Sequence, residues 1–221
     1  MDGTVRFILS LSIGIAVIIG IVRFRRIASS YYPFIYNCIA ALTVEILNRI
    51  LTLTGHPDAF ILVENIFSYT DFYLFLWLFH NWGLFNRKKW TFLTIAGVGF
   101  IIWFLEGILL TGFIKHNLYF FTLYAFALIF FSVSTFNKAV VHERISIFKN
   151  PKFWICIGII IFYSFFILVV VMSISLFKHN VSKEFRRGVW AIGVYSNLSV
   201  NVLYAVAAIW IPRKKSFTSL F

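Results

Sequence analysis

The sequence predicts an all-α, polytopic membrane protein, a bundle of seven transmembrane helices. Three observations lead there. Of 221 residues, 61% are hydrophobic and only 13% are charged, about half the charged share of a water-soluble globule. Long apolar runs recur along the whole chain, so its solvent is mostly lipid. The runs are continuous rather than alternating, which excludes a β-barrel.

Seven runs can be drawn in order: 7–22, 32–54, 59–82, 90–112, 118–140, 153–176 and 188–211. Most reach the roughly 20 residues that cross about 30 Å of hydrocarbon as helix; the first is short. It reads as a spanning helix that stays rather than a cleaved signal, because its basic cluster follows the apolar run and no A-x-A site appears. Pro151 opens the sixth run where a missing N–H costs nothing. Trp82, Trp90, Trp154, Trp190 and Trp210 fall near run ends, as interfacial anchors do. Loops are short throughout, so residues 1–221 form a single integral membrane domain. No internal repeat of the transporter kind is evident.

Lysine and arginine set the expected orientation. Thirteen lie in one set of connections, from Arg23, Arg25 and Arg26 to Arg213, Lys214 and Lys215, against six in the other: Arg6, Lys115, Lys178, Lys183, Arg186 and Arg187. The richer side is expected to be cytoplasmic, with the N-terminus outside and the C-terminus inside. The last outer connection, "FKHNVSKEFRRG", is unusually basic for that side. The net charge of +12 is thus a topology signal, and no nucleic-acid partner is expected. The lipid bilayer is.

The polar residues inside the runs are the functional candidates. In "TVEILNRILTL", Glu45, Asn48, Arg49 and Thr52 share one helix face. Glu45 and Arg49 have the spacing of an intrahelical ion pair. In "ENIFSYTDF", Glu64, Ser68 and Asp71 share another face, with Asn65 beside it. The fourth run carries Glu106; the seventh carries Asn197, Asn201 and Tyr204 at i, i+4 and i+7. Glu45, Arg49, Glu64 and Glu106 are expected in the outer half, Asp71, Asn197 and Asn201 nearer the midplane. Toward the inner side, polar residues thin to Asn37, Ser132, Thr135 and Asn137. A charge at a helix centre costs roughly 2.5–3.5 kcal/mol, so these groups must face the interior, pair, or line a hydrated cavity. Three readings stay open: polar packing between helices, a ligand-sensing cavity, and a proton or ion path.

Other chemistry is poorly supported. His56, His116 and His179 fall in three outer loops and are weak metal candidates, since no paired spacing supports them. His80 and His142 sit at inner run ends. Cys38 and Cys156 lie in apolar runs and suggest no disulfide framework. No lysine lies in 188–211, which excludes a retinal Schiff base there. No H-E-x-x-H, G-x-S-x-G, P-loop or G-x-G-x-x-G motif occurs, so neither an enzyme nor a cofactor is expected.

The C-terminal third carries a family likeness. "FKNPKFWICIGIIIFYS" holds Asn150, Pro151, Phe153, Trp154, Gly158, Tyr163 and Ser164, and the last run holds Asn201, Leu203, Ala205, Ala207 and Trp210. This resembles an uncharacterised family of small multispan membrane proteins common in the Bacteroidota. The resemblance implies a bacterial inner (cytoplasmic) membrane and a sensory or accessory role in signal transduction beside a membrane histidine kinase. It assigns no catalytic residue and leaves the small ligand unknown. A small transporter or proton-coupled permease, and a structural scaffold, remain the alternative functions.

Overall fold

A computed structural model describes residues 3–86, 88–142, 146–173 and 182–214. Among them are seven helices long and apolar enough to cross a membrane, and no strands. The chain is built as α1 (Gly3–Ser10), α2 (Ile13–Arg23), α3 (Tyr32–Thr54), α4 (Pro57–Asn81), α5 (Lys89–Leu105, continued by a π-helical turn Glu106–Thr111), α6 (Leu118–His142), α7 (Pro151–Ser173) and α8 (Lys183–Trp210).

The first span, Thr4–Arg23, is α1 and α2 joined through a break at Leu11–Ser12. It begins earlier than the apolar run. The break has a local cause: the Ser10 and Ser12 hydroxyls donate back to the Phe7 and Leu9 carbonyls at 2.9 and 2.6 Å, competing with the helical ladder. Across the break the backbone falls to shorter i→i−3 bonds, Ser12 to Leu9 and Gly14 to Leu11. The last helix also starts early, at Lys183, so Lys183, Arg186 and Arg187 sit on helix rather than in a loop. The sixth span starts at Pro151.

Six spans close a ring in the order α2, α3, α4, α6, α7, α8 and back to α2, while α5 packs against α4 and α6 from the side. The ring's interior is tightly filled: Phe34, Phe75, Phe79, Phe120, Leu128, Ile155 and Ile159 are fully buried or nearly so. Its exterior is the reverse of a soluble protein's. Trp90, Val22, Leu109 and Phe130 are 82%, 77%, 71% and 68% exposed, and an apolar coat of that kind is stable only in lipid.

Between spans, packing rather than the hydrophobic effect holds helices together, so small residues at contacts matter. A Cβ built on Gly158 would stand 2.5 Å from Tyr204 Cε1; glycine is what lets α7 and α8 meet. At the end of the bundle carrying the C-terminus, the Arg23 guanidinium donates to the terminal carbonyls of α8: Ala208 at 2.6 Å, Ile211 at 3.0 Å, and Ile209. That cation sits on the negative end of the helix dipole. Lys214 N and Ala28 N add backbone bonds to Arg26 and Pro212, so the first and last spans are clasped there.

Gly158→Ala is expected to cost about 1–3 kcal/mol by overpacking. Gly97→Ala, where no atom lies within 4 Å, should instead be neutral or stabilising by up to about 1 kcal/mol. Thermal unfolding of both variants in one detergent measures the difference.

Candidate functional site

The ring surrounds a partly open cavity of about 200 Å³. It lies toward the end of the bundle that carries the N-terminus, and every helix of the ring lines it, from Ile13 on α2 to Tyr204 on α8. Three carboxylates reach it: Glu45, Glu64 and Asp71. No lysine, arginine or histidine lines it. Its remaining surface is mainly amide and aromatic, with Asn37, Asn48, Asn197, Asn201, Tyr124, Tyr163 and Tyr204 among them, and is completed by Ser68 and the aliphatic Ile13, Ala41, Val44 and Val200.

Asp71 forms the floor. It is buried, and both oxygens are held: Asn37 Nδ2 donates to Oδ1 at 2.6 Å, and the Tyr163 hydroxyl donates to Oδ2. These charge-assisted bonds join α3, α4 and α7 around one carboxylate. The Tyr163 ring is fixed by contacts with Phe75, Tyr124 and Phe166 at centroid separations of 6.4, 5.6 and 6.1 Å.

Glu64 lies two helical turns above Asp71, about 10 Å along α4. It is far more loosely held. Asn48 Nδ2 donates to Oε1 at 3.3 Å, and His116 Nδ1 lies 3.5 Å from Oε2. Burial holds the His116 pKa below the ordinary imidazole value, which favours the neutral ring near pH 7. Glu45, Glu64 and Asn197 also line a second hollow of about 310 Å³, which adds Arg6, Ser10, His116 and Trp190. The two hollows therefore share a wall of carboxylates, and the second leads from the cavity toward Arg6 and Trp190.

Of the residues singled out from sequence, eight line the cavity: Glu45, Asn48, Glu64, Ser68, Asp71, Asn197, Asn201 and Tyr204. Two are partly committed elsewhere. Ser68 Oγ donates to the Asn65 carbonyl at 2.7 Å. Asn201 Nδ2 donates to Ser12 Oγ at 2.9 Å, tying α8 to the break in the first span.

Two candidates lie elsewhere. Arg49 lines neither hollow and, among the described residues, makes no ion pair with Glu45. It reaches toward the span end, 3.5 Å from Thr4 Oγ1, with its guanidinium 5.5 Å from the Phe7 ring centre. A long cationic side chain near a span end lowers its cost by snorkelling that way. Glu106 belongs to the side-packed fourth span. Its carboxylate accepts from Tyr119 N at 3.0 Å and Phe120 N at 2.7 Å, satisfying the free amides that open α6. It is a helix cap.

Asn65 and Asn117 complete that cap region. Asn65 Nδ2 donates to Lys115 O at 2.9 Å, Asn117 N donates to Asn65 Oδ1 at 3.1 Å, and Trp103 Nε1 donates to Asn65 O at 2.8 Å. The 112–117 connection is thus pinned to α4, which places His116 beside Glu64.

The histidines do not converge. His56 is exposed with Nδ1 3.1 Å from Thr54 Oγ1, His116 faces Glu64, and His179 lies outside the described residues. Among the described residues no group of three or more His, Cys, Asp or Glu side chains could hold a metal ion.

Asn37 and Tyr163 were not picked out from sequence as site residues. The spacing 37, 41, 45, 48 places Asn37 on the Glu45 face, a signal hidden by its distance from the charged cluster. Tyr163 reaches Asp71 only through tertiary packing. Comparison with protein-family models, with curated proteins and with solved structures gives no match, so the site is read from its own geometry.

Glu106→Ala leaves two helix-opening amides without an acceptor and is expected to lower stability by about 1–3 kcal/mol. Because Glu106 lines neither hollow, any ligand affinity measured at the cavity should stay unchanged. Unfolding and binding measured on the same preparation check both halves.

Proposed function

We propose that this multi-pass membrane protein is a sensory component that binds a small ligand bearing an ammonium group in the ring cavity. The carrying observation is the charge balance of the lining: three carboxylates and no basic side chain. Carboxylates gathered in a dry bundle need a compensating cation, a proton or water. The aromatic lining suits an ammonium on an apolar body, since ring faces attract cations as the carboxylates do. A volume near 200 Å³ limits the ligand to a small molecule.

The cavity touches every helix of the ring, so a ligand that favours one packing of these helices shifts the equilibrium between packings. That is the step by which occupancy would be passed on. With the N-terminus outside, as the distribution of basic residues suggests, the cavity samples the external face of a bacterial inner membrane. The resemblance noted in the C-terminal third supports a histidine kinase as the embedded partner.

Transport of the same cation is the second reading. One observation favours it: the Ser132 and Thr135 hydroxyls, further along α6, are buried without hydrogen-bond partners. Against it, Leu76, Leu78 and Phe79 close α4 beyond Asp71 with fully buried apolar side chains.

Titration of the purified protein with tetramethylammonium and a short series of primary alkylamines tests the reading. Binding is expected, weakened about tenfold or more in Glu64→Gln, the size of one charge-assisted contact. No binding by the wild-type protein, or equal binding by Glu64→Gln, would overturn it. Proteoliposome flux of whichever compound binds separates sensing, which predicts none, from transport.

A further inference from the structure

A second site lies at the edge of the bundle, outside the cavity. Arg6 on α1 and Lys183, Arg186 and Arg187 on α8 surround a pocket of about 580 Å³, completed by Trp190. No acidic side chain lines it. The His116–Glu64 contact lies elsewhere. Four cations have thus been brought together from helices far apart in sequence; Arg6 also faces Glu45 and Glu64 in the adjoining hollow, while Lys183, Arg186 and Arg187 have no acid beside them in the pocket.

Their placement makes the imbalance worse. Lys183 and Arg186 fall in the opening turns of α8, where the positive end of the helix dipole already disfavours cations. Glu184 is the single acid in that first turn, and it does not line the pocket. The Arg186 Nε is buried and has no hydrogen-bond partner, although an unsatisfied buried donor carries a desolvation cost. These are the conditions an anion would relieve. Paired guanidinium groups match the oxygen geometry of phosphate through two parallel hydrogen bonds.

The depth of the pocket narrows the choice. Trp190 lines it, and the Arg6 guanidinium lies 5.4 Å from the Trp190 ring centre. Tryptophan concentrates where acyl chains give way to headgroups, which places the four cations at headgroup level. We propose that this pocket binds a phosphate group, carried by an anionic lipid headgroup or by a soluble phosphate. Arg6 and Trp190 also line the hollow that adjoins the cavity, so a bound phosphate would stand beside the route to Glu45 and Glu64. The proposal does not depend on what the cavity binds, because none of the four cations lines the cavity.

The test uses the full-length protein in nanodiscs of phosphatidylcholine alone and of phosphatidylcholine with phosphatidylglycerol. Lipid retention by native mass spectrometry and thermal stability are read in each. A third arm adds inorganic phosphate to the phosphatidylcholine nanodiscs. Preferential phosphatidylglycerol retention, weakened about tenfold or more in Arg186→Gln/Arg187→Gln, supports the site with a lipid source. Stabilisation by inorganic phosphate, lost in the same variant, supports it with a soluble source. The control is Lys88→Gln/Lys89→Gln at the other end of the bundle. If that control loses as much lipid as Arg186→Gln/Arg187→Gln, or if neither phosphate source distinguishes wild type from variant, the proposal is wrong. Arg6→Gln, which leaves α8 unaltered, repeats the reading should the double variant fold poorly.

Discussion

Asp71 is the group around which the bundle is organised. A buried carboxylate among apolar helices is costly unless both oxygens are satisfied, and here they are satisfied from two other helices. Asn37 brings α3 and Tyr163 brings α7. Tyr163 is in turn held by edge-to-face ring contacts, and about one turn away on α7 Gly158 admits Tyr204 from α8. The α3–α4–α7–α8 side of the ring is therefore fixed by one polar clamp and one close glycine contact. The cavity is the space left above that clamp.

The four carboxylates of the spans have different standing. Asp71 is locked and Glu106 is spent on a helix end. Glu64 has two long contacts, and Glu45 accepts no hydrogen bond among the described residues. Structural glue in membranes is made of polar groups with partners, a description that fits Asp71, Glu106, Asn65 and Asn117. It does not fit Glu45 and Glu64, which are adjacent to one another and to the open hollows. The functional reading rests on the charge balance of the lining together with this contrast.

Much of this was legible in the sequence. The second span, Tyr32–Thr54, coincides with its apolar run because Pro33 and Gly55 mark its ends, with Gly55 in the left-handed conformation at φ 76°. Helical spacing brought Glu45 and Asn48 onto one face and Glu64, Ser68 and Asp71 onto another. What spacing could not supply was which helices adjoin. Glu106 shares the depth of Glu64, yet its span packs beside the ring, so its carboxylate meets the start of α6. Arg49 has the right spacing to pair with Glu45, but its long side chain finds the span end. The break at Leu11–Ser12 depends on two serine hydroxyls and a contact from Asn201, none of which interrupts the apolar pattern.

The account's central claim is that Glu45 and Glu64 serve a ligand and not the fold. The unfolding free energy of Glu45→Gln/Glu64→Gln, measured in the absence of ligand beside wild type and Asp71→Asn, tests it most directly. Removing two weakly held charges from an empty cavity should leave stability unchanged or raise it, as is usual where function rather than folding maintains a residue, while Asp71→Asn should lose stability. A double variant that unfolds as readily as Asp71→Asn would show that all three carboxylates hold the bundle together and would contradict the claim.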